Sequence, residues 1–271
     1  MKNIIILLVA MFLIIAGCTK DTLLEPSNEL IVVRGYIYAG EPVADIQITT
    51  TLALGSEAQT APPVNNAAVS LIKNNQTYSL VPSAGDSGYY YYPGDDLVVE
   101  SGDIFEIQVE YAGNVTTGKT VVPFPPENVA ISSNELIIPE TFFRGMEDST
   151  SEITITWQED AASLFYVVME NLEANPEEIT SFGGGPSNEM RRRLVFPPTN
   201  NNEFRIRRFS VSYYGNHQVK IYRVNQEYAD LYQSRNQDSR DLNEPLTNIE
   251  NGLGVFSAFA SQSANFKVIS E

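Results

Sequence analysis

The sequence predicts an all-β protein built as two β-sandwich domains, with one short helix near the C-terminus. Three observations predict it. Short runs alternate apolar and polar residues, the period of a strand with one wet face. Glycine and proline, 17 and 15 of them, break the chain between those runs. Sustained helical periodicity is confined to a single segment late in the chain.

The first strand reads Ile31 to Tyr38 and the second Ala44 to Thr51. Ala67 to Lys73 and Gln76 to Leu80 flank Asn74-Asn75, a dipeptide suited to a hairpin turn. Tyr89 to Tyr92 follow, with two tyrosines expected on each face. In the run Phe105 to Tyr111, Phe105, Ile107, Val109 and Tyr111 share one face, and Glu106, Gln108 and Glu110 share the other. Val115 to Val122 is expected to pair back across Ala112-Gly113-Asn114. Pro123-Phe124-Pro125-Pro126 cannot donate to a strand ladder and reads as a stiff connector. The expected division is therefore a first sandwich over 29–125 and a second over 126–271.

The second half restarts with alternation of Ile153, Ile155 and Trp157 against Thr154 and Thr156. Leu164 to Glu170, Arg191 to Phe196, Phe204 to Tyr214 and Val219 to Val224 are expected strands. Asn225 is placed to cap a helix over Gln226 to Arg235, whose Tyr228, Leu231 and Tyr232 share one face. Trp157 is expected to be a core residue. Gly183-Gly184-Gly185-Pro186 lacks a following Lys-Ser/Thr and is not a phosphate loop.

The N-terminus carries its own message. Met1-Lys2-Asn3 is followed by an apolar run too short to span a bilayer, which takes about 20 residues. It fits a signal peptide over 1–17. Ile15-Ala16-Gly17-Cys18 matches the box cleaved by bacterial signal peptidase II, so Cys18 is the expected lipidation site and 18–28 a lipidated tether. Cys18 is the one cysteine in the chain, which leaves no thiol for a disulfide, a thiolate metal site or a nucleophile. The formal net charge of −17 argues against nucleic acid as a partner. Membrane contact is expected through the lipid rather than through the acidic surface.

Catalytic chemistry is thinly supplied. The single histidine, His217, sits in Tyr213-Tyr214-Gly215-Asn216-His217, expected to be an exposed hairpin turn. No serine-elbow motif accompanies it. Zinc would have to rely mostly on carboxylates. Asp95, Asp96, Glu100 and Asp103 offer oxygens for calcium, without the regular spacing of a calcium loop, and solvated acidic turns are the plainer reading. No catalytic residue, cofactor or metal is expected, and the chain is read as a non-enzyme.

One tract stands against the acidic background. Arg191, Arg192, Arg193, Arg205 and Arg207, with Arg208 beside them, crowd one expected hairpin that also bears Tyr213 and Tyr214. Two readings apply: cross-strand pairing with the protein's own glutamates, or a partner-binding surface.

Several of these pieces resemble known families. The run Asn248-Ile249-Glu250-Asn251-Gly252-Leu253-Gly254-Val255-Phe256 resembles a Bacteroidota lipoprotein family known as domain of unknown function four-two-four-nine. Leu30 to Ile37, Tyr222-Arg223-Val224 and Asn243-Glu244-Pro245-Leu246 sit where that family has similar pieces. Gly35 to Val43, Asp86 to Tyr89 and Ser101 to Phe105 resemble carboxypeptidase-regulatory, transthyretin-like sandwiches, within the broader immunoglobulin-like class. The Trp157 strand and the one after it look like the early strands of a fibronectin-like sandwich. Lys20-Asp21 behind Cys18 resembles a surface-export signal. That resemblance implies outer-membrane placement, facing the cell exterior. The lipoprotein-family resemblance adds an expected accessory or ligand-binding role beside a TonB-dependent transporter. A structural or adhesive surface protein is the alternative, and a hydrolase comes third.

Overall fold

A computed structural model of the chain describes residues 30–52, 58–138, 152–158, 163–179, 192–234 and 247–271. Cys18, the signal peptide, the tether through residue 28, Arg191, the Gly183 loop and Asn243 to Leu246 lie outside the described residues. The protein is all-β, with two sandwiches and, among the described residues, one α-helix.

The first sandwich uses β1 (Ile31–Tyr38), β2 (Asp45–Thr50), β3 (Ala68–Lys73), β4 (Gln76–Pro82), β5 (Tyr89–Tyr91), β6 (Ile104–Tyr111) and β7 (Asn114–Val121). Two of its turns follow directly from their residues. Asn74 and Asn75, and Ala112 and Gly113, all take positive φ, the backbone that lets a two-residue turn match strand twist. Strand β4 pairs with β3 through Gln76 to Leu80 and with β5 through Val81 and Pro82. It thereby carries hydrogen bonding from one layer to the other. Alternation buries Val33 and Ile37 of β1, Ile46 and Ile48 of β2, Leu71 of β3, and Phe105 and Ile107 of β6 in one core. Tyr90 joins that core completely buried, while Tyr91 is exposed.

The connector at Pro123 to Pro126 leads into β8 (Glu127–Ile131) and β9 (Glu135–Ile138). Then come β10 (Glu152–Gln158), β11 (Leu164–Asn171), β12 (Arg193–Thr199), β13 (Glu203–Arg207), β14 (Gly215–Val224), helix α1 (Gln226–Ser234), β15 (Ile249–Glu250) and β16 (Leu253–Ser270). One layer of the second sandwich is β13-β10-β8; the other runs β12-β11-β14-β16, with β9 on the far edge of β16. Trp157 lies in the core between them, edge-on to Phe165 at 5.4 Å. Pro197 and Pro198 fall within β12, an edge strand, where a missing N–H is tolerated.

Strand β16 holds the architecture together. Its first part pairs in parallel with β1, from Val32↔Leu253 to Tyr38↔Phe259. Its second part pairs antiparallel with β14, from Val224↔Phe259 to Gly215↔Val268. One strand of 18 residues, about 60 Å long at 3.3 Å per residue, therefore belongs to both sandwiches. Residues 247–259 add to the first sandwich although they follow the second in sequence. The residues it sends into the two cores keep one parity: Phe256 and Ala258 enter the first core, Ala264, Phe266 and Val268 the second, while Phe259 lies on the opposite face.

Two expectations are corrected here. Phe204 to Tyr214 is not one strand. β13 ends at Arg207, a 3-10 turn takes Arg208–Ser210, and β14 begins only at Gly215. The Arg207 N–H donates to Ser210 Oγ and the turn leaves Phe209 exposed. His217 is not an exposed turn residue. Gly215 at φ +97° opens β14, and the alternation that buries Val219 and Ile221 also buries His217, stacked on Phe266 at 5.1 Å.

Candidate functional site

The face of β1, β16, β14 and β11 that points away from both cores gathers the tyrosines. On β1, Arg34, Tyr36 and Tyr38 alternate with the buried Val33 and Ile37. Tyr38 pairs in register with Phe259 and stacks on it at 5.1 Å. Tyr166 of β11 stands directly opposite Tyr222 of β14, with ring centroids 5.7 Å apart. Helix α1 then lays Tyr228 across the seam, within 5.7 Å of Tyr36, 5.8 Å of Tyr166 and 4.9 Å of Phe259. Rings from both sandwiches and from the helix thus form one aromatic cluster.

The helix is fixed by a buried polar node. Thr120 Oγ1 accepts from Asn225 Nδ2 and from the Ala258 N–H, and donates to Glu227 Oε1. Ser257 Oγ also donates to Glu227. Asn225 spends its amide on Thr120 and on the Val121 carbonyl, so it ties the helix start to β7.

A cleft opens beside the aromatic cluster. Its volume is about 210 Å³, and it is lined by Val168, Glu170, Arg193, Gln218, Lys220 and Tyr222. Val168 and Tyr222 are buried and make the floor; Glu170 and Arg193 are exposed and face each other across β11 and β12. Lys220 Nζ bridges to Glu41 Oε1 at 3.3 Å, so the β1–β2 turn of the first sandwich reaches the rim. Burial raises the pKa of Tyr222, Tyr166, Tyr38 and Tyr228, with Asp45 adding to the shift at Tyr38. Their hydroxyls stay protonated at neutral pH and serve as donors. The pKa of Lys220 is raised. Its burial pulls the other way, and Tyr222 and Glu41 outweigh it, so the lysine stays charged.

The arginines expected on one hairpin are divided between layers. Strands β12 and β13 belong to opposite sheets, so they do not pair as a hairpin. Arg192 donates to the Glu173 carbonyl, and Arg193 lines the cleft. On the other layer, Arg205 and Arg207 both reach Glu152 of β10, at 3.4 and 2.6 Å, and Arg205 also pairs with Glu203. Tyr213 is buried and Tyr214 half-buried against the second core. Among the described residues of the expected set, Arg193 alone lines the cleft; Lys220 and Tyr222 in the cleft and Tyr166 in the aromatic cluster beside it were not expected as site residues.

His217 Nδ1 lies 3.0 Å from the Gly215 carbonyl and Nε2 lies 3.3 Å from Asn171 Nδ2. This arrangement puts the proton on Nδ1 and leaves Nε2 accepting. Burial lowers its pKa. Among the acids considered for calcium, Asp103 is held by Lys73 at 2.6 Å and by the Glu100 N–H, and Asp96 accepts from the Tyr92 hydroxyl.

Fold and cleft together define an all-β protein of two sandwiches joined through a shared strand. The chain belongs to the family described as a domain of unknown function, DUF4249, whose model matches residues 20–265. No curated protein matches it. Solved structures similar to it include domains A168–A170 of titin, at 11% identity and a TM-score of 0.21, covering 73% of this chain and 61% of that one. A cytokine receptor complex is similar at 11% identity and a TM-score of 0.25, covering 86% and 94%. The chain thus spans less than two thirds of the titin fragment.

Proposed function

We propose that this protein is an exported lipoprotein, anchored in the outer membrane by lipid on Cys18. It acts as a ligand-binding or accessory component of a TonB-dependent uptake system. The observation that carries the binding role is the cleft at the seam, whose rim is contributed by both sandwiches through Lys220 and Glu41. The lipoprotein box at Ile15 to Cys18 supports the anchor. A binding role also suits the only histidine, which is buried and engaged at both ring nitrogens.

In this reading, β1 and the first part of β16 both run away from the tether. The first sandwich then lies near the membrane and the second is held farther out. Residues 18–30 reach at most about 40 Å when extended.

The test is native purification of the lipoprotein from outer membranes in mild detergent. We expect a β-barrel transporter to co-purify. Cys18→Ala should abolish incorporation of a palmitate analogue and release the protein from the membrane fraction. Recovery of the protein without any transporter would defeat the uptake role, and lipid labelling of the Cys18→Ala variant would defeat the anchor.

A further inference from the structure

We propose that the seam cleft binds a neutral, polyhydroxylated ligand, a saccharide chain end. This proposal rests on the reading of the protein as a ligand-binding component and names the class of ligand.

Charge is the first argument. The chain as a whole is strongly acidic, with a formal net charge of −17. At the cleft the formal charges of the described residues cancel, Glu41 and Glu170 against Lys220 and Arg193. A ligand carrying net charge of either sign would meet a like charge within the same small space. A neutral one meets none.

The chemistry of the lining is the second argument. The Glu170 carboxylate accepts, the Arg193 guanidinium, the Lys220 ammonium and the Gln218 amide donate, and the Tyr222 hydroxyl does both. Each hydroxyl of a sugar both donates and accepts, so neighbouring hydroxyls match carboxylate and guanidinium groups set side by side. The Val168 side chain in the floor offers an apolar contact for ring carbons.

Shape and surroundings extend the case. A volume of about 210 Å³ falls below the roughly 300–1,000 Å³ of pockets that enclose a small molecule, so this cleft holds a chain end and leaves the rest outside. The neighbouring surface continues with uncharged polar residues. Ser261 and Ser263 of β16 stand opposite Tyr222 and Lys220, and Gln218 Nε2 donates to Asn265 Oδ1. Further sugar units would find hydroxyl and amide groups along that track.

The test uses full-length lipoprotein in a detergent without a sugar head group. It is titrated by calorimetry with neutral hexasaccharides of glucose, mannose, xylose and galactose, and with oligogalacturonate as the charged comparator. We expect at least one neutral saccharide to bind, with an affinity unmoved by ionic strength. The variant Arg193→Ala with Gln218→Ala changes no core residue. It should bind about tenfold or more weakly, with an unaltered circular dichroism spectrum. The proposal is overturned if no neutral saccharide binds, if the double variant binds like the parent, or if binding is confined to oligogalacturonate and fades with salt. Co-purification with a transporter is measured separately, so loss of the ligand claim and loss of the uptake role are told apart.

Discussion

Replacing Asn248 with alanine removes a side chain that stands in for a missing strand. Between Leu253 and Ala258, β1 is the one described strand that pairs with β16, along one edge. On the other edge Asn248 Oδ1 accepts from the Phe256 N–H at 3.0 Å, and Nδ2 donates to the Phe256 carbonyl at 2.7 Å and the Lys119 carbonyl at 2.9 Å. Alanine orphans both backbone groups of Phe256, whose ring is fully buried in the first core. An unsatisfied buried backbone group costs about 1–3 kcal/mol, and Asn248 is only half-buried, so water recovers part of that. We predict a loss of about 2–4 kcal/mol in urea unfolding followed by circular dichroism. Asn248→Asp keeps the acceptor for the Phe256 N–H, loses both donors, and should also be destabilised. A loss under about 0.5 kcal/mol for Asn248→Ala, the range of an ordinary surface change, would refute the reasoning.

Three further predictions follow from other parts of the frame. Gly254 sits at φ +102°, and a Cβ there would fall 2.0 Å from the Val33 carbonyl oxygen, so Gly254→Ala should lower the unfolding midpoint more than any single surface change; an unchanged midpoint contradicts the close pairing of β16 with β1. The pKa of His217 is lowered in the folded protein, so the unfolded chain takes up the proton first. Its contribution to stability is complete above the unfolded value of about 6.5 and is lost as pH falls through the folded value. His217→Phe should flatten that part of the pH profile, and an identical profile would place the titration elsewhere. Arg205→Glu with Arg207→Glu turns attraction toward Glu152 and Glu203 into repulsion, so the midpoint should drop at low salt and recover at high salt, whereas a salt-independent drop would point to lost packing.

Much of the all-β class is legible in the sequence because alternation is local. The run Phe105 to Tyr111 shows its buried and wet faces without reference to any other strand, and Asn74-Asn75 declares its own turn. The connector at Pro123 to Pro126 is legible for the same reason, since proline's missing donor is a local property. Strand β16 is not. Phe256-Ser257-Ala258-Phe259-Ala260 reads as a mixed small and aromatic run, because Phe256 and Ala258 face the first core, Phe259 joins the aromatic cluster on the opposite face, and Ser257 serves Glu227. Gly252 and Gly254 make sense only once Ile31 and Val33 of β1 lie against them. The aromatic cluster beside the cleft is hidden likewise. Tyr38, Tyr166, Tyr222 and Tyr228 are each visible as outward or amphipathic positions, and their meeting depends on the strand order β11-β14-β16-β1. The arginine tract misled because proximity in sequence suggested one hairpin, while β12 and β13 cross between layers.

The most direct test of the shared strand is urea unfolding of full-length protein and its Asn248→Ala variant, read by Trp157 fluorescence. Trp157 is the chain's one tryptophan and lies in the second core, whereas Asn248 secures β16 within the first sandwich. If β16 couples the two, the Trp157 midpoint falls in the variant together with the circular dichroism midpoint. A Trp157 transition that stays where it was while circular dichroism loses amplitude earlier would mean that the sandwiches unfold independently, and the account of a single frame built on one strand would be wrong.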